Sequence, residues 1–253
     1  MFRLFPAAVL AAVLLASCAT VPPPDAVPPA PSTGDPSPTP FSTAASLEGL
    51  PEGWRKYRLA RFKKFTDYRL VKTPDQGVVI ESLADASASG LEYPTSFDVH
   101  EYPWFAWRWK VPKMVEGTRN SLAHVEDSPA RMVVTFEGGR DKLPPDEQMN
   151  YDLAKSIAGT TLPYATLMYI WDDTLPYGAV VQHNMSSRVK GIVVGSKAQL
   201  GTWVDEKHNL LNDYRRAFRE DPPRGMAVGF MTDTDNSATV ASALYGDIRL
   251  LKE

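Results

Sequence analysis

Residues 102–111 (YPWFAWRWKV) place Phe105, Trp107, Trp109 and Val111 on one side of an extended chain and Ala106, Arg108 and Lys110 on the other. Side chains of a strand alternate between two faces, so this period of two specifies a strand with one buried surface. One sheet cannot bury such a surface alone, and a second layer must cover it. Similar β-branched or aromatic runs, bounded by turn residues, occur at 77–82, 131–136, 164–171, 188–195, 226–232 and 245–251. Two helices are expected between them. Pro145 precedes Met149, Leu153 and Ile157 at spacings of four, with Gly159 beyond the end; Leu211, Tyr214 and Phe218 form a second stripe, stopped by Pro222 and Pro223. Strands outnumber helices and no strand–helix rhythm recurs. The expected fold is mainly β, an antiparallel β-sandwich with one or two short helices inserted.

The N-terminal residues follow other rules. Arg3 precedes an apolar stretch, Leu4 to Leu15, broken only by Pro6, and Leu15-Ala16-Ser17-Cys18 follows. The stretch is shorter than the roughly 20 apolar residues that span a bilayer, and reads as the core of an export signal. Small residues leading into a cysteine resemble the lipobox of bacterial lipoproteins, in which the Cys18 thiol accepts the lipid. In that resemblance Ala19, not an aspartate, implies outer-membrane sorting. Residues 20–45 are dominated by Pro, Ser, Thr and Ala and have little to bury, as in a semi-extended tether. The expected organisation is a signal peptide at 1–17, a lipidated Cys18 with a disordered linker to 48, and one domain over 49–253. The expected location is the outer membrane, facing the periplasm, with the lipid as the membrane attachment.

Cys18 is the only cysteine, so no disulfide forms within the monomer. Net charge is −3 and no long uninterrupted basic run occurs, so nucleic acid is not an expected partner. Nothing in the sequence fixes an oligomeric state.

Five ordered motifs carry a family resemblance: residues 85–90 (DASASG), 107–110 (WRWK), 126–131 (EDSPAR), 231–236 (MTDTDN) and 245–248 (YGDI). Together they resemble bacterial domain-of-unknown-function family 3047 over about residues 52–250. The resemblance implies an exported domain of jelly-roll, galactose-binding-like outline and assigns no reaction.

Two sets of residues are candidates for a ligand. Asp233, Asp235 and Asn236 offer oxygens of the kind that suit Ca²⁺, with Asp247 on the last strand and Glu81 on an early one as further donors; a structural calcium is one expectation, and a polar turn is the other. A buried Asp127–Arg131 pair fixing two strands needs no ion. On the outward side of the tryptophan strand, Arg108 and Lys110, with Arg131 on an expected neighbouring strand, suit a glycan. Trp104, Trp171 and Trp203 near strand ends and His183 in a loop could complete such a site. No G-x-S-x-G elbow occurs, and no histidines pair at helical spacing. Ser187-Arg188-Val189-Lys190 fits S-x-x-K but leads into a strand, where Ser and Lys do not share a helix face. Three readings follow: a non-catalytic domain binding a glycan or another envelope component, a polysaccharide hydrolase or lyase using carboxylates such as Asp127, Asp233 and Asp235, or a lipoprotein that contacts a protein partner.

Overall fold

The computed structural model describes residues 34–253 except 61, 123, 159–161 and 185. The export signal, Cys18 and the first part of the tether lie outside the described residues.

Among the described residues, thirteen strands make two packed sheets. The first sheet contains β1 (Arg55–Arg58), β4 (Ala88–Phe97), β6 (Ser128–Phe136), β7 (Ala165–Trp171), β8 (Val180–Gln182), β9 (Val189–Gly195) and β11 (Gly225–Asp233), in the order β1-β4-β11-β6-β7-β9-β8. The second contains β2 (Asp67–Thr73), β3 (Gly77–Asp85), β5 (Trp104–Lys110), β10 (Val204–Asn209) and β12 (Val240–Tyr245), in the order β10-β5-β12-β3-β2, with β13 (Arg249–Leu251) also paired to β5. This is the expected jelly-roll-type β-sandwich. The pairing is antiparallel apart from β7 with β9, which run parallel.

The alternation that predicted β5 is obeyed. Phe105, Trp107, Trp109 and Val111 are buried, and they meet Tyr169 and Trp171 of the facing sheet. Such aromatic contacts add about 0.5–1.5 kcal/mol per pair beyond the area they bury. Where the sheets approach near Phe230, hydroxyl groups bridge them: Thr232 Oγ1 lies 2.8 Å from both Ser82 Oγ and Tyr245 OH.

Both helices form, as α1 (Pro145–Ala158) and α2 (Leu210–Phe218). Asn209 caps α2 by accepting the Asn212 N–H at 2.9 Å, and Leu210 and Tyr214 are its fully buried residues. Met149 and Leu153, of the stripe expected to bury α1, face water instead. Glu147 holds α1, accepting from Ser186 Oγ at 2.8 Å and from the Ser187 N–H at 2.5 Å.

Within residues 34–48, the expected end of a disordered linker, Pro36, Pro38 and Phe41 are buried on the domain. Phe41 is 1 % exposed and packs on Trp54 and Phe230. Pro36 O accepts from Thr95 Oγ1, Thr39 O accepts from the Trp54 indole, and Ser37 exchanges two bonds with Leu250. The physical reason is Phe41, a large apolar residue that ends the proline-rich stretch and finds a slot between the sheets. Among the described residues, chain packed on the sandwich thus includes Pro36 to Phe41, ahead of residue 49.

Candidate functional site

A concavity of about 710 Å³ lies on the outer face of the second sheet. It owes its shape to a bulge. Tyr245 pairs with Trp109 and Arg249 with Ala106, so Gly246, Asp247 and Ile248 stand opposite only Trp107 and Arg108. An extra residue in one strand bends it and re-aims its side chains. Ile248 turns into the core, and Asp247 turns to the groove, where it accepts from the Ser42 N–H at 3.0 Å and from Ser42 Oγ at 2.5 Å.

Arg108 borders the same groove. It makes a forked pair with Asp205, Nε to Oδ1 and Nη2 to Oδ2, both 2.9 Å, and donates to Gln76 Oε1. This pair is half open to solvent and adds at most about 1 kcal/mol to stability; its effect is to hold a planar donor array beside a planar acceptor. The lining carries three cations, Arg108, Lys207 and Arg249, and three carboxylates, Asp205, Glu206 and Asp247, with Ala106, Val79 and Leu251 as an apolar floor. The formal charges cancel. Trp104 adjoins the groove on the same face of β5, opposite Leu251, with the Lys207 ammonium 4.8 Å from its ring centre.

A second constellation lies at the end of the first sheet. One oxygen each from Asp127, Asp233 and Asp235 can be chosen within 4.8 Å of one another. Each carboxylate already has partners. Asp127 accepts from the Asn236 and Ser237 N–H groups at 3.1 and 2.7 Å. Asp233 accepts from the Ser128 N–H at 3.0 Å and from Arg131 Nη1 at 2.8 Å. Asp235 pairs with Lys63. Burial, with Asp127 and Asp235 adding repulsion, pushes the Asp233 carboxyl up to about 7 against the opposing pull of Arg131 and the Ser128 N–H. Arg131 continues the network to Asn120 Oδ1, and Asn120 donates to Asp172. Glu126 meets His183 at 3.1 Å. Burial works against ionisation of Glu126, but His183, Arg131 and Lys63 together hold its carboxyl below the usual range. The space bordered by Arg131, Glu126, Asn120 and His183 measures about 20 Å³, room for roughly one water.

The expected site residues thus divide. Arg108 lines the groove, while Lys110 lies on the same face two residues further along, beyond the lining. Arg131 is not on a neighbouring strand: the chain after β5 crosses to the other sheet, so β6 and Arg131 lie across the sandwich. Its partner is Asp233 rather than Asp127. Trp171 is a core residue with no exposure, seated because Gly195 has no side chain; a Cβ there would come within 2.4 Å of the ring. Trp203 is half-buried ahead of β10, and His183 belongs to the Glu126 pair.

The expected calcium set does not assemble. Asp233 and Asp235 come together, but Asp247 is in the groove and Glu81 is ion-paired with Arg69 on the outer face of the second sheet, while Asn236 contributes its backbone N–H to Asp127. Ca²⁺ takes six to eight oxygens. The three aspartates meet two side-chain cations and three backbone N–H groups, so they fit an ion-pair network and not that ion. Sequence reasoning missed Gln76, Ser42, Asp205, Lys207 and Arg249. The bulge that gathers them depends on pairing partners 100 residues and more apart.

A family model described as protein of unknown function (DUF3047) matches residues 52–249. No curated protein matches the chain. Among solved structures, the family 11 carbohydrate-binding module of cellulase Lic26A-Cel5E of Clostridium thermocellum is similar over 87 % of this chain and 95 % of that chain, at 11 % identity and a TM-score of 0.41. Endoglucanase Cel12A from Rhodothermus marinus is similar over 79 % and 91 %, at 11 % identity and a TM-score of 0.42. Likenesses at that level assign no role to any residue of the groove or of the aspartate cluster.

Proposed function

This chain belongs to the DUF3047 family, and we propose that its sandwich is a non-catalytic glycan-binding domain whose ligand lies in the groove over β5, β10 and β13. The supporting observation is the lining itself. Each sugar hydroxyl both donates and accepts, and the Arg108–Asp205–Gln76 array offers fixed donors and acceptors side by side. The cancelled charge favours an uncharged saccharide over a polyanion. Trp104 at the margin offers a ring face on which a sugar can stack. The test is retention of the chain on a panel of neutral and acidic polysaccharides and peptidoglycan fragments, with Arg108→Ala, Asp205→Ala and Trp104→Ala alongside. The reading fails if no neutral glycan is retained, or if the three variants bind as the wild type does.

The hydrolase or lyase reading predicts a cleft around Asp127, Asp233 and Asp235. Those carboxylates are buried or partly buried and held by backbone N–H groups and cations, beside a space too small for a sugar ring. The binding reading is therefore the better supported.

The attachment rests on the N-terminal sequence. Our reading places the chain as an outer-membrane lipoprotein anchored through Cys18, with the groove facing the periplasm. Incorporation of labelled palmitate that disappears in Cys18→Ser tests the anchor.

A further inference from the structure

Residues 55–64 hold six cations, Arg55, Lys56, Arg58, Arg61, Lys63 and Lys64, with no acidic residue between Trp54 and Thr66, in a chain of net charge −3. They make no uninterrupted run because Tyr57, Leu59, Ala60 and Phe62 are interleaved, and Phe65 follows. The connection from β1 to β2 exposes three of these apolar residues. Phe62 is 75 % exposed, Leu59 52 % and Phe65 44 %. Leu83 and Val240, also exposed, continue the patch onto the second sheet. Leu83 lies opposite Asp67, two residues after Phe65, and Val240 lies opposite Asp85, whose carboxylate Lys64 holds at 2.7 Å. Cations surround the rings. The Arg58 guanidinium lies 4.4 Å from the centre of Phe65, the Lys63 ammonium lies 5.9 Å from that of Phe62, and Lys56, Arg58 and Lys64 are exposed.

We propose that this loop docks on an anionic lipid surface, with Phe62 and Leu59 entering the headgroup–acyl boundary and Lys56 and Arg58 meeting the phosphates. Charge complementarity selects this occupant. A soluble polyanion would engage the cations and leave Phe62 and Leu59 in water. An apolar protein surface would cover the rings and leave the cations unmatched. An anionic bilayer satisfies both, as it does for surface-bound segments that present basic and apolar groups together. The contact lies away from where the described chain begins: Arg58 pairs with Ser89 at the start of β4, whereas Pro36 is held by Thr95 near its end. It is also independent of the groove and of what the groove binds.

The experiment uses the full chain carrying Phe62→Trp as reporter. It is mixed with vesicles of phosphatidylcholine alone, or of phosphatidylcholine with phosphatidylglycerol, each prepared with brominated acyl chains. The expected result is a blue shift and quenching of the added indole in the phosphatidylglycerol vesicles, weakened by salt. Lys56→Glu with Arg58→Glu should weaken that binding about tenfold or more at unchanged melting temperature. Phe62→Ser, read by co-sedimentation, gives an independent loss. Three results overturn the proposal: vesicle binding with the indole unquenched, quenching equal in neutral vesicles and indifferent to the charge reversals, or no response to lipid while the same variants lose capture of a protein partner.

Discussion

Gly246 and Arg108 fix each other: the Gly246 N–H donates to the Arg108 carbonyl at 2.9 Å, and a Cβ on Gly246 would fall 2.4 Å from the Arg108 Cγ. The bulge that turns Asp247 into the groove thus also requires a residue without a side chain where the arginine stem passes. Gly246→Ala should push Arg108 away from Asp205 and Gln76 at a stability cost of about 1–3 kcal/mol, the range of an overpacked site. Glycan affinity measured by calorimetry should fall in Gly246→Ala even where the protein remains folded. An unchanged affinity would detach the groove from ligand binding.

Above about pH 7, where Asp233 is ionised, Arg131 and Asp233 form a buried ion pair, and removing one partner strands the other. Arg131→Met should cost about 3–5 kcal/mol in denaturant unfolding. The double variant Arg131→Met with Asp233→Asn should recover a large part of that loss, because no charge is left unpaired. Equal losses in the single and double variants would show that the cluster contributes little through charge.

The raised Asp233 carboxyl gives stability a pH signature. In the folded protein Asp233 keeps its proton up to about pH 7, whereas in the unfolded chain it loses it near 4. Between those values the folded state binds more protons, so this group makes stability fall as pH rises through the window. Chemical denaturation at a series of pH values should show that slope in the wild type and a flatter one in Asp233→Asn.

Calcium should leave the melting temperature unchanged, since Lys63 and Arg131 already neutralise the aspartates. A rise on adding Ca²⁺ that a chelator reverses would show that the ion displaces Lys63 from Asp235.

Phe41→Ala should destabilise the domain by about 3–5 kcal/mol, the cost of deleting a buried aromatic side chain. Deleting residues up to 44 should do at least as much, as read by thermal melting. A truncated domain of full stability would return residues 34–44 to the tether.

The strands readable in advance were those whose own side chains carry the pattern, with Trp107 and Trp109 of β5 and Val133 and Val134 of β6 as examples. β4 was not readable. It contains Gly90 and Pro94, residues that local preference keeps out of strands. Gly90 is required because the Tyr57 ring and the Phe230 carbonyl oxygen come within 2.6 Å of where a Cβ would be, and Pro94 lies beyond the end of β1 and beside the β11 irregularity. β10, with Asp205, Glu206 and Lys207, is too polar to announce itself and takes its place as the edge partner of β5.

The sequence alone determined that most of this chain folds as a β-sandwich, because alternation within one segment is a local property that any partner must accommodate. It also marked Arg108 as outward-facing, since its neighbours Trp107 and Trp109 had to face in. Only the tertiary structure decided which strands became neighbours, and with that which polar groups meet. It separated Arg131 from Arg108, parted Asp247 and Glu81 from Asp233, and buried Trp171. It also brought Ser42, Gln76 and Asp205 to one groove. Those outcomes depend on long-range pairing and one bulge, where the gain from burying a whole face outweighs the preference of any single residue.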